Sequence, residues 1–237
     1  SPVHPGTAKY LADHAEAEAG RPIDPGPREF AGVVVIPAFA ETPDLVEMVA
    51  TLPNNLLTIL IINAPPGMHH RNADLFKALD VVPGPDTRAQ VAVRHLPNSV
   101  VVVDRSTEPV MPKQGVGLAR KIGADMALAL MVQGRLPETW IHSTDADVSL
   151  PPDYGLAAPP LRPELAALVY PFEHVAPRGL GNAAALYEIS LLHYVLGLAL
   201  AGSGYAHHTI GSTLAFNPTT YALVRGFPKR AAGEDFY

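Results

Sequence analysis

Apolar positions in the first part of the chain fall into short unbroken runs separated by stretches with a helical period. Val33–Ile36 is a β-branched run stopped by Pro37. Leu56–Ile62 is a second, ended by Asn63-Ala64-Pro65-Pro66, and Val100–Val103 is a third, ending at Asp104. Trp140–Ser143 is a fourth, leading into Asp145-Ala146-Asp147. Continuous apolar runs of this length predict strands buried on both faces. Between them the pattern predicts helices over Lys9–Ala19, through Leu45, Val46 and Val49, over Ala73–Leu79 and over Gly115–Val132. Thr42 followed by Pro43 has the form of an N-cap and first helical residue. In Gly115–Val132, Leu118, Ile122, Met126 and Leu130 repeat every four residues, while Arg120, Lys121 and Asp125 lie off that stripe. Strand and helix thus alternate, which predicts an α/β fold with a Rossmann-like, mostly parallel sheet flanked by helices.

Beyond Pro151 the texture changes. A strand is expected over Leu165–Tyr170, a long apolar helix over Asn182–Leu200, a strand over Thr213–Phe216 and a short helix over Thr219–Val224. The apolar stretch Ala183–Ala201 contains Glu188 and His193. A membrane span needs roughly 20 apolar residues with few charges, so the expectation is a buried helix. The alternative is a helix lying on a membrane surface or packing on a segment outside this sequence. Residues 1–30 read as an N-terminal helix and loop extension, and residues 31–237 as one domain. The abrupt ending Gly233-Glu234-Asp235-Phe236-Tyr237 raises the expectation that the natural chain continues past Tyr237.

Composition narrows the partners. The chain has 237 residues, 48% of them hydrophobic, enough for a sizeable core. A net charge of −6 with only 17 basic residues argues against nucleic acid, whose phosphate backbone needs a basic face. A nucleotide remains possible, since a cation and backbone N–H groups can hold a diphosphate. The 25 prolines fall mostly between the apolar runs, where they end elements. Without cysteine there are no disulfides or Cys-based zinc sites. No basic-then-apolar leader pattern is visible at the start. The expected location is the cytoplasm, with attachment to the inner face of the membrane as a variant and no transmembrane segment.

Ligands of parallel α/β sheets bind beyond the carboxyl ends of the strands. Pro37–Glu41, Asn63–Pro66, Asp104 and Asp145–Asp147 all fall at such ends. Asp145 and Asp147 supply two carboxylates one residue apart, suited to a hard cation such as Mg²⁺ or Mn²⁺ that shares its shell with phosphates. The plainer alternative is a solvated Asp pair in a turn. Glu41 is placed to accept from a base or ribose hydroxyl, or equally to sit at a helix N-terminus favoured by the dipole. Lys113-Gln114-Gly115-Val116-Gly117 with Arg120 forms a Gly-rich helix entry of the kind that binds phosphate, or one that only packs closely. Gly233-Glu234-Asp235 offers carboxylates for general-base work or an ordinary helix start. One of His207 and His208 could complete a metal shell, or sit in a hydrogen bond.

Together these segments resemble family 2 glycosyltransferases. Val34-Val35-Ile36-Pro37-Ala38-Phe39-Ala40-Glu41 is similar to that family's opening strand and loop. Gly117–Ala124 is similar to its "G-x-A-x-A-R-N-x-G" helix, and Thr144-Asp145-Ala146-Asp147 to its D-x-D loop. Gly211–Phe216, Val224–Pro228 and Gly233-Glu234-Asp235 are similar to its "G-S-N-x-A-F … V-G-G-F … G-E-D" tail. The match runs over residues 33–237. It implies a GT-A fold, with residues 31–150 as the nucleotide-sugar-binding half and 151–237 as the acceptor half. It implies a UDP- or GDP-sugar donor, a glycan, lipid or small-molecule acceptor, and Mn²⁺ or Mg²⁺. It places Asp147 and Asp145 on metal and donor, with Pro37, Ala38, Glu41, Asn63, Asp104, Lys113, Gly117, Arg120 and Ala146 around the donor. Asp235 would be the base that deprotonates the acceptor, with Glu234 holding the acceptor and inversion at the anomeric carbon.

The sequence departs from the family at Asn63-Ala64-Pro65-Pro66, where an acidic nucleoside-binding motif is usual, and at Lys121, where Asn is usual. The His pair is similar to that of retaining GT-A enzymes, which leaves the stereochemistry open. Two rivals share the acidic α/β pattern: a sugar-phosphate nucleotidyltransferase and a non-catalytic nucleotide- or glycan-binding module.

Overall fold

The structure, a computed structural model, describes residues 5–26, 29–81, 90–108, 110–176 and 178–234. It is an α/β fold with helices on both faces of a mixed sheet. The helices are α1 (Pro5–Asp13), α2 (Asp44–Thr51), α3 (Ala73–Ala78), α4 (Gly115–Val132), α5 (Gly181–Leu200) and α6 (Pro218–Leu223). The strands are β1 (Gly32–Ala38), β2 (Leu56–Asn63), β3 (Gln90–His95), β4 (Ser99–Arg105), β5 (Ile141–Ser143), β6 (Ala167–Val169) and β7 (Leu214–Phe216). They lie in the order β3-β4-β2-β1-β5-β7-β6. The central β4, β2, β1 and β5 are parallel, while β3 pairs antiparallel with β4 and β7 antiparallel with both β5 and β6.

The continuous apolar runs are explained by burial on both faces. Val33, Val35, Leu57, Ile59, Ile61, Val101 and Val103 pack on one face with α4 and Tyr10 of α1. Val34, Ile36, Leu60, Ile62, Val100 and Val102 pack on the other with Leu45, Val49, Leu75 and Phe76 of α2 and α3. Successive residues of each strand therefore divide between two cores.

Pro37 does not stop the first strand, which runs on to Ala38. The Val35 carbonyl accepts from Thr144 N–H on the β5 side. By the two-residue alternation the missing N–H of Pro37 faces that same side, beyond the last β1–β5 pair at Val35 and Ser143. No ladder hydrogen bond is lost there.

Several boundaries differ from the sequence reading. The first helix ends at Asp13, because the Glu16 N–H is captured by Asp125 Oδ2 at 2.8 Å and Glu16 is extended. The second begins at Asp44, and Thr42 Oγ1 donates to Asp44 Oδ2 instead of capping a helix N–H. Strand β3 has no counterpart in the sequence reading, and the predicted Leu165–Tyr170 strand is reduced to the partly exposed β6.

The off-stripe residues of α4 are not solvated. Every residue from Gly117 to Met131 is buried, Arg120, Lys121 and Asp125 included. Asp125 accepts from Tyr10 Oη at 2.6 Å, Tyr221 Oη at 2.7 Å and Lys121 Nζ at 3.0 Å. This network joins α1, α4 and α6, so the N-terminal helix completes the core.

The apolar helix α5 corrects the expectation of burial: none of its residues is buried. Its mean hydropathy is 1.6, and among the described residues it alone is long and apolar enough to cross a membrane. Its contacts are one-sided. Glu188 accepts from the His174 N–H at 2.6 Å, and Glu188, Leu191, Leu192 and Val195 border a groove against Val169–Phe172.

Candidate functional site

The chain runs outward from β1 through β2 to β4 on one side and returns to β5 on the other. The sheet therefore has its topological switch between β1 and β5, where open α/β sheets bind ligands. The segments leaving these two strands are Phe39–Glu41 and Thr144–Asp147. They border a cavity of about 490 Å³ that also takes in Asn63, Met111 and Ala231.

The loops around it are held by side-chain amides. Asn72, fully buried, accepts from the Ala40 N–H at 2.8 Å and donates to the Asn63 carbonyl at 2.9 Å. Asn63 donates to the Ala38 carbonyl at 3.1 Å. One carboxamide thus fixes the exits of β1 and β2, and Ala40 is held at a φ of 57°. Nothing in the sequence pattern distinguishes Asn72 from a helix-capping residue.

Arg120 organises the β5 exit from beneath. It is 3% exposed. Its Nη1 donates to Ser143 Oγ at 2.6 Å and to the Gly211 carbonyl at 3.0 Å, and its Nε donates to Glu234 Oε1 at 2.9 Å. Nη2 is paired with Asp145 Oδ1. A Cβ at Gly211 would lie 2.7 Å from that Nη2, so a larger residue there would have to displace the guanidinium.

Asp147 is exposed and Asp145 half-buried on the cavity wall. Glu41 faces them. Its carboxyl is pushed above the ordinary carboxylate range, first by burial and then by the negative charges of Asp147 and Asp145. The three carboxylates therefore repel one another across the cavity.

Asp145 and Asp147 also border a second cavity of about 810 Å³, formed with Tyr154, the Tyr170–Val175 segment and the Ile210–Thr213 turn. Under its floor Tyr170 Oη meets His142 Nδ1 at 2.9 Å. Burial lowers the His142 pKa to about 4, so this imidazole is neutral at pH 7. Burial raises the Tyr170 pKa to about 12 and moves that of Tyr154 up as well.

Of the residues singled out in the sequence, Pro37, Ala38, Glu41, Asn63, Asp145, Ala146 and Asp147 meet on one wall. The others are placed elsewhere. Asp104 is buried and turned into its own loop, accepting from Ser106 N–H at 2.8 Å and Ser106 Oγ at 2.6 Å. Lys113 is exposed outside both cavities. Gly117 packs on the 228–230 segment, where a Cβ would meet the Pro228 carbonyl oxygen at 2.4 Å. This is the close-packing alternative for the Gly-rich helix entry.

Arg120 and Glu234 are buried behind the wall as a pair, so Glu234 is not positioned to touch an acceptor. His207 and His208 border the separate α5 groove of about 510 Å³, with the His208 ring edge-on to Phe172. They do not join Asp145 and Asp147, and no cluster of three or more potential metal-ligating side chains occurs among the described residues. Asp235 lies outside the described residues. Thr144, Tyr154 and Tyr170 carry the second cavity without having been singled out; Thr144 alone had a signal, its place beside the D-x-D.

No protein-family model matches the chain, and no curated protein matches it in sequence.

Proposed function

We propose that this chain is a GT-A-type, metal-dependent glycosyltransferase that moves a sugar from a nucleotide-sugar donor to an acceptor hydroxyl. The observation that carries this reading is the position of Asp145 and Asp147 on the wall common to two cavities at the switch between β1 and β5. The smaller cavity, at the exits of β1 and β2, takes the nucleotide. The larger takes the sugar end of the reaction.

A divalent cation suits the residues present. Among the described residues, no Lys or Arg lines either cavity. Glu41, Asp145 and Asp147 share the smaller cavity, and the charges of the two aspartates add to burial in raising the Glu41 pKa. A two-carboxylate site that leaves positions for phosphate oxygens is the usual Mg²⁺ arrangement. Asp147, with Asp145, would hold the ion, whose chemistry is to offset the charge of a departing diphosphate.

The protein's own part is positioning. Arg120 orients Asp145 and, through Glu234, fixes the segment that leads into Asp235. In this reading Asp235 takes the acceptor proton as the hydroxyl oxygen bonds to the anomeric carbon. The carbon–oxygen bond to the diphosphate breaks, and its electron pair leaves with the phosphate.

A thermal-shift screen with UDP, GDP, ADP and CMP, with and without Mn²⁺, tests the reading. A ligand that binds only the folded state raises stability by mass action. One nucleoside diphosphate should raise Tm, and only with metal. No response to any nucleotide, or an equal response without metal, would remove the proposal.

A further inference from the structure

Helix α5 is the largest apolar feature outside the proposed site. None of its residues is buried, and seven of its large apolar side chains are exposed. Val175, Leu180 and Tyr205 extend the exposed apolar surface past both ends of the helix. At roughly 100 Å² for each of these side chains, the surface is on the order of 1,000 Å². The largest patch on an ordinary monomer is about 300–600 Å². A standard protein interface takes about 800 Å² from each partner. The exposed area is therefore of the size that a protein partner covers.

The helix is not uniform around its axis. Ala184, Glu188, Leu191, Val195 and Leu198 form the half-buried stripe that lies on the body. About a quarter turn away runs a second stripe, Ala185, Ile189, Leu192, Leu196 and Ala199. All five are exposed, Ile189, Leu192 and Leu196 by 60%, 62% and 56%. Their spacing alternates four and three, which is the seam by which two helices interleave side chains. The face opposite the body is less apolar, with Asn182, Ser190, His193 and Gly197 between Leu186 and Leu200.

Charge and direction select the cover. From 169 to 212 the charged residues are Glu173, Arg178 and Glu188, with no basic cluster. A helix that lies on a membrane turns its apolar face outermost and surrounds it with Lys and Arg. In α5 the apolar seam is on a flank, and the outermost face is the more polar one. Nor is α5 placed to span a bilayer, because the segments on either side of it return to β6 and β7, neighbours in one sheet. The seam fits itself instead. In an antiparallel pair of α5 helices about a two-fold axis, Leu192 meets the partner subunit's Leu196. Ile189 then meets the partner subunit's Ala199, large against small, and each contact occurs twice. The antiparallel order also opposes the two helix dipoles.

We infer that the protein forms a two-fold dimer through α5, with a second copy of the chain seated on the seam of Ile189, Leu192 and Leu196. Leu192 also borders the α5 groove, whose other wall, Tyr170–Phe172, is shared with the larger cavity. The second copy closes that groove and backs the cavity wall. The inference stands apart from the sugar-transfer reading.

Sedimentation equilibrium of the full chain over a micromolar concentration range tests this. The wild type should be a dimer. Leu192→Glu sets two like charges against each other across the contact and should weaken the dimer at least about a hundredfold. Tyr194→Glu, on the far side of the helix and similarly exposed, should leave the dimer intact. Both side chains are exposed in the single chain, so both variants should keep the wild-type far-UV circular dichroism. The chain has no cysteine, so an Ile189→Cys, Ala199→Cys double variant reports the geometry. It should link the two copies on mild oxidation, whereas Tyr194→Cys should not. Co-sedimentation with vesicles of phosphatidylcholine and phosphatidylglycerol reads the membrane alternative. The inference is overturned if the wild type is a monomer, with or without vesicle binding, if Leu192→Glu and Tyr194→Glu act alike, or if the double cysteine variant stays unlinked.

Discussion

Arg120 Nε donates to Glu234 Oε1 across 2.9 Å, and both side chains are almost wholly buried. The same guanidinium pairs with Asp145 on the cavity wall. One buried cation therefore ties the middle helix, the D-x-D loop and the last described segment of the chain together. A cation in this position is structural first, because it holds one wall carboxylate in place and leaves Asp147 exposed.

Glu234→Ala should accordingly destabilise the protein strongly. Removing one partner leaves the other charge buried and partly unpaired, which costs about 3–5 kcal/mol in comparable cases. Glu234→Gln keeps the shape and should cost less. Urea unfolding of the three proteins checks this. Equal stability of wild type and Glu234→Ala would show that the pair holds nothing together, and Glu234 would return as an acceptor-binding candidate. Arg120→Lys should also fail to restore the wild type, since an ammonium cannot reproduce the forked contacts to Glu234, Ser143 and Asp145.

Asp147→Asn is the complementary test at the surface. Asp147 is exposed, so the variant should keep its stability within the range of ordinary surface changes, about 0.5 kcal/mol. It should lose the Mn²⁺-dependent response to nucleotide. Retention of the full response would show that the cation, if any, is held elsewhere.

Glu41 gives a direct reading of the electrostatics. Its folded pKa is raised by burial and by Asp147 and Asp145. In the window between the ordinary value and the raised one, the folded state binds more protons than the unfolded state, so stability falls as pH rises. Glu41→Gln should remove that slope and stabilise the metal-free protein at neutral pH. Mg²⁺ should bring the Glu41 titration back down, followed by ¹³C NMR of the side-chain carboxyl. A Glu41 pKa that ignores Mg²⁺ would separate this carboxylate from any cation site.

The strand–helix alternation in the sequence was enough to find β1, β2, β4, β5 and α4, because apolar runs buried on both sheet faces carry their own signal. Pro37, Ala38, Glu41, Asn63 and the Asp145–Asp147 loop followed from lying at strand ends. The limits were also physical. Lys121 and Asp125 lie off the apolar stripe of α4, and a local pattern cannot show that Tyr10 and Tyr221 arrive from distant segments to pair with Asp125. Asp104 and Glu234 are acidic residues in plausible places that are buried, Asp104 Oδ1 accepting from Ser106 and Glu234 Oε1 from Arg120. Apolarity alone implied that α5 is buried, but burial needs a second layer of structure, and the described residues provide only one side.

The packing of α4 on the sheet predicts an asymmetry between two glycines of one helix. Glycine in a helix interior costs about 1 kcal/mol relative to alanine, so Gly→Ala is stabilising where space allows. At Gly123 a Cβ would lie 2.3 Å from Val35 Cγ1, and at Gly117 2.4 Å from the Pro228 carbonyl oxygen. Both variants should therefore destabilise, by about 1–3 kcal/mol for overpacking. Their effects differ in place. Gly123→Ala should leave nucleotide binding intact, because it strains the core beneath β1. Gly117→Ala should weaken nucleotide binding too, because it displaces the segment leading to Ala231 on the cavity wall. Thermal melts with and without ligand separate the two; identical ligand responses would detach the 228–231 segment from the site.

His142 makes the last prediction, in the acid range. The ring is 1% exposed, and burial lowers its pKa from 6.5 to about 4. In that interval the unfolded chain binds a proton that the folded protein does not, so stability rises with pH. The contribution is complete above pH 6.5 and is lost as pH falls to about 4. At about 1.4 kcal/mol per pKa unit, the shift corresponds to about 3 kcal/mol. His142→Gln cannot titrate and keeps a polar group near Tyr170 Oη. Urea unfolding at pH 7 and pH 4.5 should show a smaller loss for the variant than for the wild type, the carboxylates being common to both. Equal losses would mean that the imidazole is protonated within the fold, with its unpaired Nε2 satisfied by a group that the folded structure does not place there.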